Sequence, residues 1–126
     1  MAQADIAAFK ELQDKLKMNV AFAENVAQQL GRARVTARRA ELTLEELSQM
    51  SADVPMYKQV GKAYFMAPMP EVVSELRDDI KASQDEVKRF AQQREHADKA
   101  IAEAEKELRE LMKAHPEAIK QLMAMG

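Results

Sequence analysis

The sequence has no cysteine and no tryptophan, only three glycines and four prolines, and aromatic residues make up only 5% of it. Without cysteine, disulfides and thiolate metal sites are excluded, and a reducing compartment is allowed. No apolar run approaches the roughly 18 residues that a membrane span needs. Neither sign of charge dominates: the net charge is −2 and the pI about 5.8, which gives no electrostatic reason to expect nucleic acid or an anionic membrane as a partner. The opening residues, MAQADIAAFKELQDK, place Asp5 and Glu11 in a helical pattern and lack a basic region followed by an apolar core. The expectation is a soluble, cytoplasmic protein with no membrane partner.

What is there is 126 residues, 47% apolar and 32% charged, enough for one folded domain. Alanine, glutamate, lysine, leucine and arginine dominate, the profile of long helices or coiled coils. From Phe9 the sequence runs Phe9, Leu12, Leu16, Asn19, Ala23, Val26, Leu30, Ala33, Ala37, Ala40, Leu44 and Leu47, with spacings that alternate three and four. That is a heptad seam with Asn19 as its one polar intrusion. Asp5 is the expected N-cap, since its carboxylate can accept backbone N–H bonds and favours the positive end of the helix dipole.

A second seam runs Val73, Leu76, Ile80, Ser83, Val87, Phe90, Arg94, Ala97, Ile101, Ala104, Leu108 and Leu111. Pro70 suits its first helical position, because the missing N–H would be unpaired there anyway. If the chain reverses near residue 60, the seams meet in one register, Phe9 facing Leu111, Leu30 facing Phe90 and Leu47 facing Val73. The fold class expected is mainly α, a long antiparallel two-helix coiled coil, roughly 65 Å long at about 1.5 Å per residue. Its outer faces carry acid–base pairs four residues apart: Asp85 with Arg89, Glu95 with Lys99, and Glu105 with Arg109. The single domain divides into a helix at 5–50, a β-hairpin at 54–67, a helix at 70–115 and an apolar tail at 116–126.

The hairpin is read from Pro55 and Pro68, which bar either helix from continuing, and from Tyr57, Val60, Tyr64 and Phe65, which favour strand. Gly61-Lys62 suits a type II′ turn, pairing Val60 with Ala63, Gln59 with Tyr64, Lys58 with Phe65 and Tyr57 with Met66. Neither face would be polar throughout. A lone two-stranded hairpin is marginal in water, and helices ending at one edge cannot cover both faces. It is therefore expected to pair with other chains, aided by off-seam Val35 and Leu42 on the outward stripe of the first helix. The blander alternative folds the Tyr and Met side chains back on the helix ends.

ELTLEEL at 41–47, YKQVGKAYFMAP at 57–68 and EVVSEL opening the second helix at 71–76 together resemble the prefoldin family, and the resemblance covers almost the whole chain. A single hairpin between the helices resembles the β class of subunit. The resemblance implies a hexamer of two α-class and four β-class subunits, with hairpins joined in a β-barrel platform and coiled coils hanging from it. It also implies capture of unfolded proteins, notably actin and tubulin chains, and their delivery to the cytosolic chaperonin without ATP. The platform role falls to Met56, Tyr57, Val60, Gly61, Tyr64 and Phe65.

Client capture is expected at the coil tips, where Ile6 and Phe9 should lie near Leu111, Met112, Ile119, Leu122 and Met123. Pro116 interrupts the second helix, so PEAIKQLMAMG reads as a separate, mobile turn. Flexible methionines there suit a surface that accepts many apolar clients. The alternative is a tail tucked over Phe9 and Leu111.

Nothing points to catalysis, a cofactor or a metal. Gly61-Lys62 lacks the rest of a phosphate-binding loop, and His96 and His115 have no companion ligand pattern. Arg32, Arg34, Arg38 and Arg39 form the one dense basic cluster and motivate a rival reading, a coiled-coil adaptor for nucleic acid or an acidic protein. Against nucleic acid, no aromatic residues interleave for base stacking. A third reading is a homo-oligomeric structural coiled coil.

Overall fold

A computed structural model of the chain describes residues 2–125; of Ala2, Ile119 and Met125 it describes the backbone alone. The fold is mainly α, two long helices joined by one antiparallel hairpin, as the seams and the turn imply. The order is α1 (Ala2–Ser48), β1 (Met56–Val60), β2 (Ala63–Ala67), α2 (Met69–Ala114) and α3 (Pro116–Met125). Contacts divide the chain into two compact units, Met1–Gln28 with Ala91–Gly126 and Gln29–Phe90.

In the Gln29–Phe90 unit the core is Leu30, Ala33 and Ala37 from α1, all buried, against half-buried Val87 and Phe90 of α2. Towards the hairpin the same seam loosens, and Leu44, Leu47, Val73, Leu76 and Ile80 are only half-buried. α1 ends at Ser48, two residues before the expected boundary. Its last turn tightens to i→i+3 bonds, Gln49 N–H to Glu46 (3.2 Å) and Met50 N–H to Leu47 (3.1 Å), while Ser48 Oγ donates to the Glu45 carbonyl at 2.6 Å. α2 starts at Met69, one residue before the expected Pro70, because the Pro68 carbonyl accepts the N–H groups of Glu71 (3.1 Å) and Val72 (3.2 Å). Pro70 still lies in the first turn, where a missing N–H costs nothing.

In the other unit Phe9, Val26, Ala97 and Ala104 are buried. The two polar seam residues of this unit, Asn19 and Arg94, resolve differently. Arg94 is exposed, its stem able to lie along the seam while the guanidinium reaches water. Asn19 is half-buried and its Nδ2 is buried without a partner, a cost that an apolar residue would avoid.

Three expectations need correction. α1 begins at Ala2, so Asp5 is not the N-cap; it sits in the first turn, where its charge still favours the dipole, and its Oδ2 lies 3.4 Å from His115 Nδ1. The tail is a ten-residue helix rather than a turn, with Pro116 at its first position. Of the surface ion pairs, Glu95–Lys99 forms at 3.3 Å, but Arg89 lies 3.9 Å from Glu86 instead of pairing with Asp85, and no Glu105–Arg109 pair forms among the described residues. Exposed pairs are worth only tenths of a kcal/mol, so competing partners such as the Phe90 ring, 4.9 Å from the Arg89 guanidinium, redirect them.

Candidate functional site

The hairpin has the register expected of it: Met56 opposite Ala67, Tyr57 opposite Met66, Lys58 opposite Phe65, Gln59 opposite Tyr64 and Val60 opposite Ala63. Gly61 has φ 63° and, among the described residues, no other has positive φ, which is the pattern of a type II′ turn and excludes type I′. Gln59 Nε2 donates to the Gly61 carbonyl at 3.3 Å.

One end of the hairpin is anchored to its own chain. Met56 and Ala67 are buried, and the Lys58 ammonium reaches α2, hydrogen-bonding Glu75 and lying 3.6 Å from Glu71. The Glu75 hydrogen bond raises the Lys58 pKa above the usual lysine value, outweighing the opposing effect of partial desolvation. The rest is uncovered. Tyr57 is 60% exposed, Val60 62%, Tyr64 67%, Phe65 57% and Met66 70%, so apolar side chains stand in solvent on both faces. Of the residues expected at an assembly surface, Tyr57, Val60, Gly61, Tyr64 and Phe65 are therefore open, whereas Met56 packs inward. Met66, more exposed than Tyr57, Val60, Tyr64 or Phe65, belongs to the same surface and was legible from its pairing with Tyr57.

Beside the hairpin, the loosened seam opens into a groove of about 620 Å³, with Leu44, Leu47, Met50, Met69, Val73 and Ile80 in its walls. Periodicity did not reveal this groove, because it identifies which residues face the partner helix and not how closely the helices approach. Val35 and Leu42 are exposed as expected. In the arginine cluster Arg38 lies 3.3 Å from Glu41 on its own helix, and Glu41 also accepts from Gln84 of α2 at 3.2 Å.

In the unit that holds both ends of the chain, α1, α2 and α3 close around an apolar hollow too tight to hold a water molecule. Ile6, Phe9, Leu111, Ala118 and Leu122 line it, with Asp5 and His115 at its polar edge. Thus Ile6, Phe9, Leu111 and Leu122 do come together. Met112 is half-buried outside this lining, and Met123, 64% exposed, lines a second hollow with Phe9, Lys10, Gln13 and Leu122. The side chain of Ile119, expected at this site, lies outside the described residues. Phe9 itself is only 3% exposed. Asp5 and His115 were missed as members of the site, although the antiparallel register that pairs Phe9 with Leu111 also brings them opposite one another.

Among the described residues no three His, Cys, Asp or Glu side chains cluster as a metal site, and no helix is long and apolar enough to cross a membrane.

Residues 3–115 match the family model described as prefoldin subunit, and the match stops where α3 begins. Prefoldin subunit 1 of Arabidopsis thaliana is 30% identical over 124 residues, covering 98% of this chain and 97% of that protein. Prefoldin subunit 1 of Homo sapiens is 28% identical over 110 residues, covering 85% and 88%. Among solved structures, the prefoldin beta subunit from Thermococcus strain KS-1 superposes with a TM-score of 0.63 over 90% of both chains, at 19% identity, a likeness of fold.

Proposed function

The chain belongs to the prefoldin family, and from that premise we propose that it works as a β-class subunit of a cytoplasmic hetero-hexamer of two α-class and four β-class subunits. The complex takes up unfolded proteins, actin and tubulin chains among them, and passes them to the cytosolic chaperonin without ATP and without catalytic chemistry. The observation that carries this reading is the hairpin, whose apolar residues stand exposed on both faces. A two-stranded hairpin is marginal alone, and each large apolar side chain covered by a neighbour returns about 1.5–3 kcal/mol. Strands added from other subunits would satisfy both its edges and its faces.

Client capture belongs to the Ile6, Phe9, Leu111, Met112, Leu122 and Met123 cluster, to which Ile119 is assigned on sequence alone. Each such cluster is small, so several clusters in one assembly gain by avidity what one cannot hold. The arginine cluster supports no second reading as firmly, since Arg38 is engaged by Glu41 and no aromatic residue interleaves with it.

A native pull-down with the tagged chain tests the proposal. It should recover α-class and β-class prefoldin subunits in fixed ratio, with chaperonin and unfolded actin or tubulin in lower amount. Recovery of the chain with itself alone, or with nucleic acid released by salt, would replace it by a structural or adaptor role.

A further inference from the structure

Phe9 is the largest side chain of the client cluster, and at 3% exposure no client can reach it while α3 stays in place. Among the described residues of α3, Ala118 and Leu122 border its pocket, four residues apart and so on one helical face. We propose that the cleft formed by Ile6, Phe9 and Leu111 is a binding site for short amphipathic helical segments with apolar residues at i and i+4, and that α3 is its displaceable occupant in cis. This rests on the reading of the cluster as the client site, and it adds the ligand class and the device that keeps the site covered.

Three features make α3 displaceable. It is joined to α2 through one residue, His115, and Pro116 has no N–H to extend the α2 hydrogen-bond ladder. It has ten residues, below the length at which an isolated helix is stable in water, so its helicity depends on being docked. Among the described residues its docked face offers Ala118 and Leu122 to the pocket, and Met123 beyond them is largely in solvent. The Asp5–His115 contact at 3.4 Å ties the start of α1 to the joint rather than to α3 itself, so α3 can leave while the joint stays anchored. A client segment that forms an amphipathic turn on the cleft replaces the same apolar contacts, and the closed state spares the assembly from exposing Phe9 when no client is present.

The test uses the full chain, a deletion of residues 116–126, and the full chain carrying Leu122→Asp, each assembled with its partner subunits. The probe is a fluorescein-labelled PEAIKQLMAMG peptide, the tail added in trans, followed by anisotropy. If α3 leaves the cleft about a tenth of the time, both altered chains bind the peptide about tenfold more tightly than the full chain. They also suppress aggregation of unfolded actin at lower concentration. Leu122→Asp guards against a deletion that merely fails to assemble. Equal binding by all three chains, or none, overturns the cis occupant. If the peptide does not bind and capture falls in both altered chains, α3 belongs to the capturing surface: the displaceable occupant is refuted and the tip cluster stands. If capture is unchanged in both, the tip cluster falls with it.

Discussion

The hairpin and the α3 end both gather large apolar side chains, and they treat them in opposite ways. At the hairpin, Tyr57, Tyr64, Phe65 and Met66 stand in solvent, and only Met56 and Ala67 are buried. At the α3 end, Phe9 is buried, Leu111 and Leu122 are half-buried, and Met123 alone among the described tip residues is largely open. The difference follows from what each region can reach. Strands present apolar residues on two faces and the chain supplies cover for one end, whereas a ten-residue helix can fold onto the cleft its own chain leaves. A permanent partner suits the first surface and an exchangeable one suits the second.

The largest effect should come from charging the hairpin. Tyr57→Asp with Phe65→Asp should abolish assembly with partner subunits in size exclusion while leaving the far-ultraviolet circular dichroism of the isolated chain unchanged, since neither side chain supports the monomer. Assembly by this double variant would break the comparison at its root.

Next, two phenylalanines separate the regions by stability. Phe9→Ala should cost about 3–5 kcal/mol in thermal unfolding of the isolated chain, whereas Phe65→Ala should stay within about 0.5 kcal/mol. Similar values for the two would mean that the hairpin is covered in solution by its own chain.

Gly61→Ala should cost about 1–2 kcal/mol, because φ 63° is strained for any residue with a Cβ. The loss should be read in assembly affinity, with helix content unchanged. The smallest effect concerns Lys58. Its folded pKa is raised, so the stabilisation it brings to the hairpin is complete below the ordinary lysine value of 10.5 and is lost only as pH rises through the folded value. Methyl signals of Met56 and Met66 should therefore hold still between about pH 6 and 9 and move only in the alkaline range, measured by NMR.

The seams, the hairpin and its register were legible because each rests on local chemistry. Alternating spacings of three and four mark a seam whatever its depth, and Gly61-Lys62 between two prolines leaves few turns available. What escaped depends on how closely elements approach. Leu44 and Leu47 share the spacing of Leu30, yet they border a groove while Leu30 is fully buried. The helical state of residues 116–125 was hidden as well, since Pro116 reads equally as a break or as a first helical residue, and docking beside Phe9 decides between them. Asp5 was assigned to a cap by residue type, but the helix extends past it and leaves it beside His115 instead.

The hairpin is the surface that a single chain leaves uncovered. Both tyrosines of the chain, Tyr57 and Tyr64, lie in it, which makes hydroxyl-radical footprinting with mass spectrometry a direct test. Tyr57, Tyr64 and Met66 should be labelled strongly in the isolated chain and protected on assembly with partner subunits, while Met123 stays labelled in both. Equal labelling of the two tyrosines before and after assembly would mean that partners dock elsewhere on the chain.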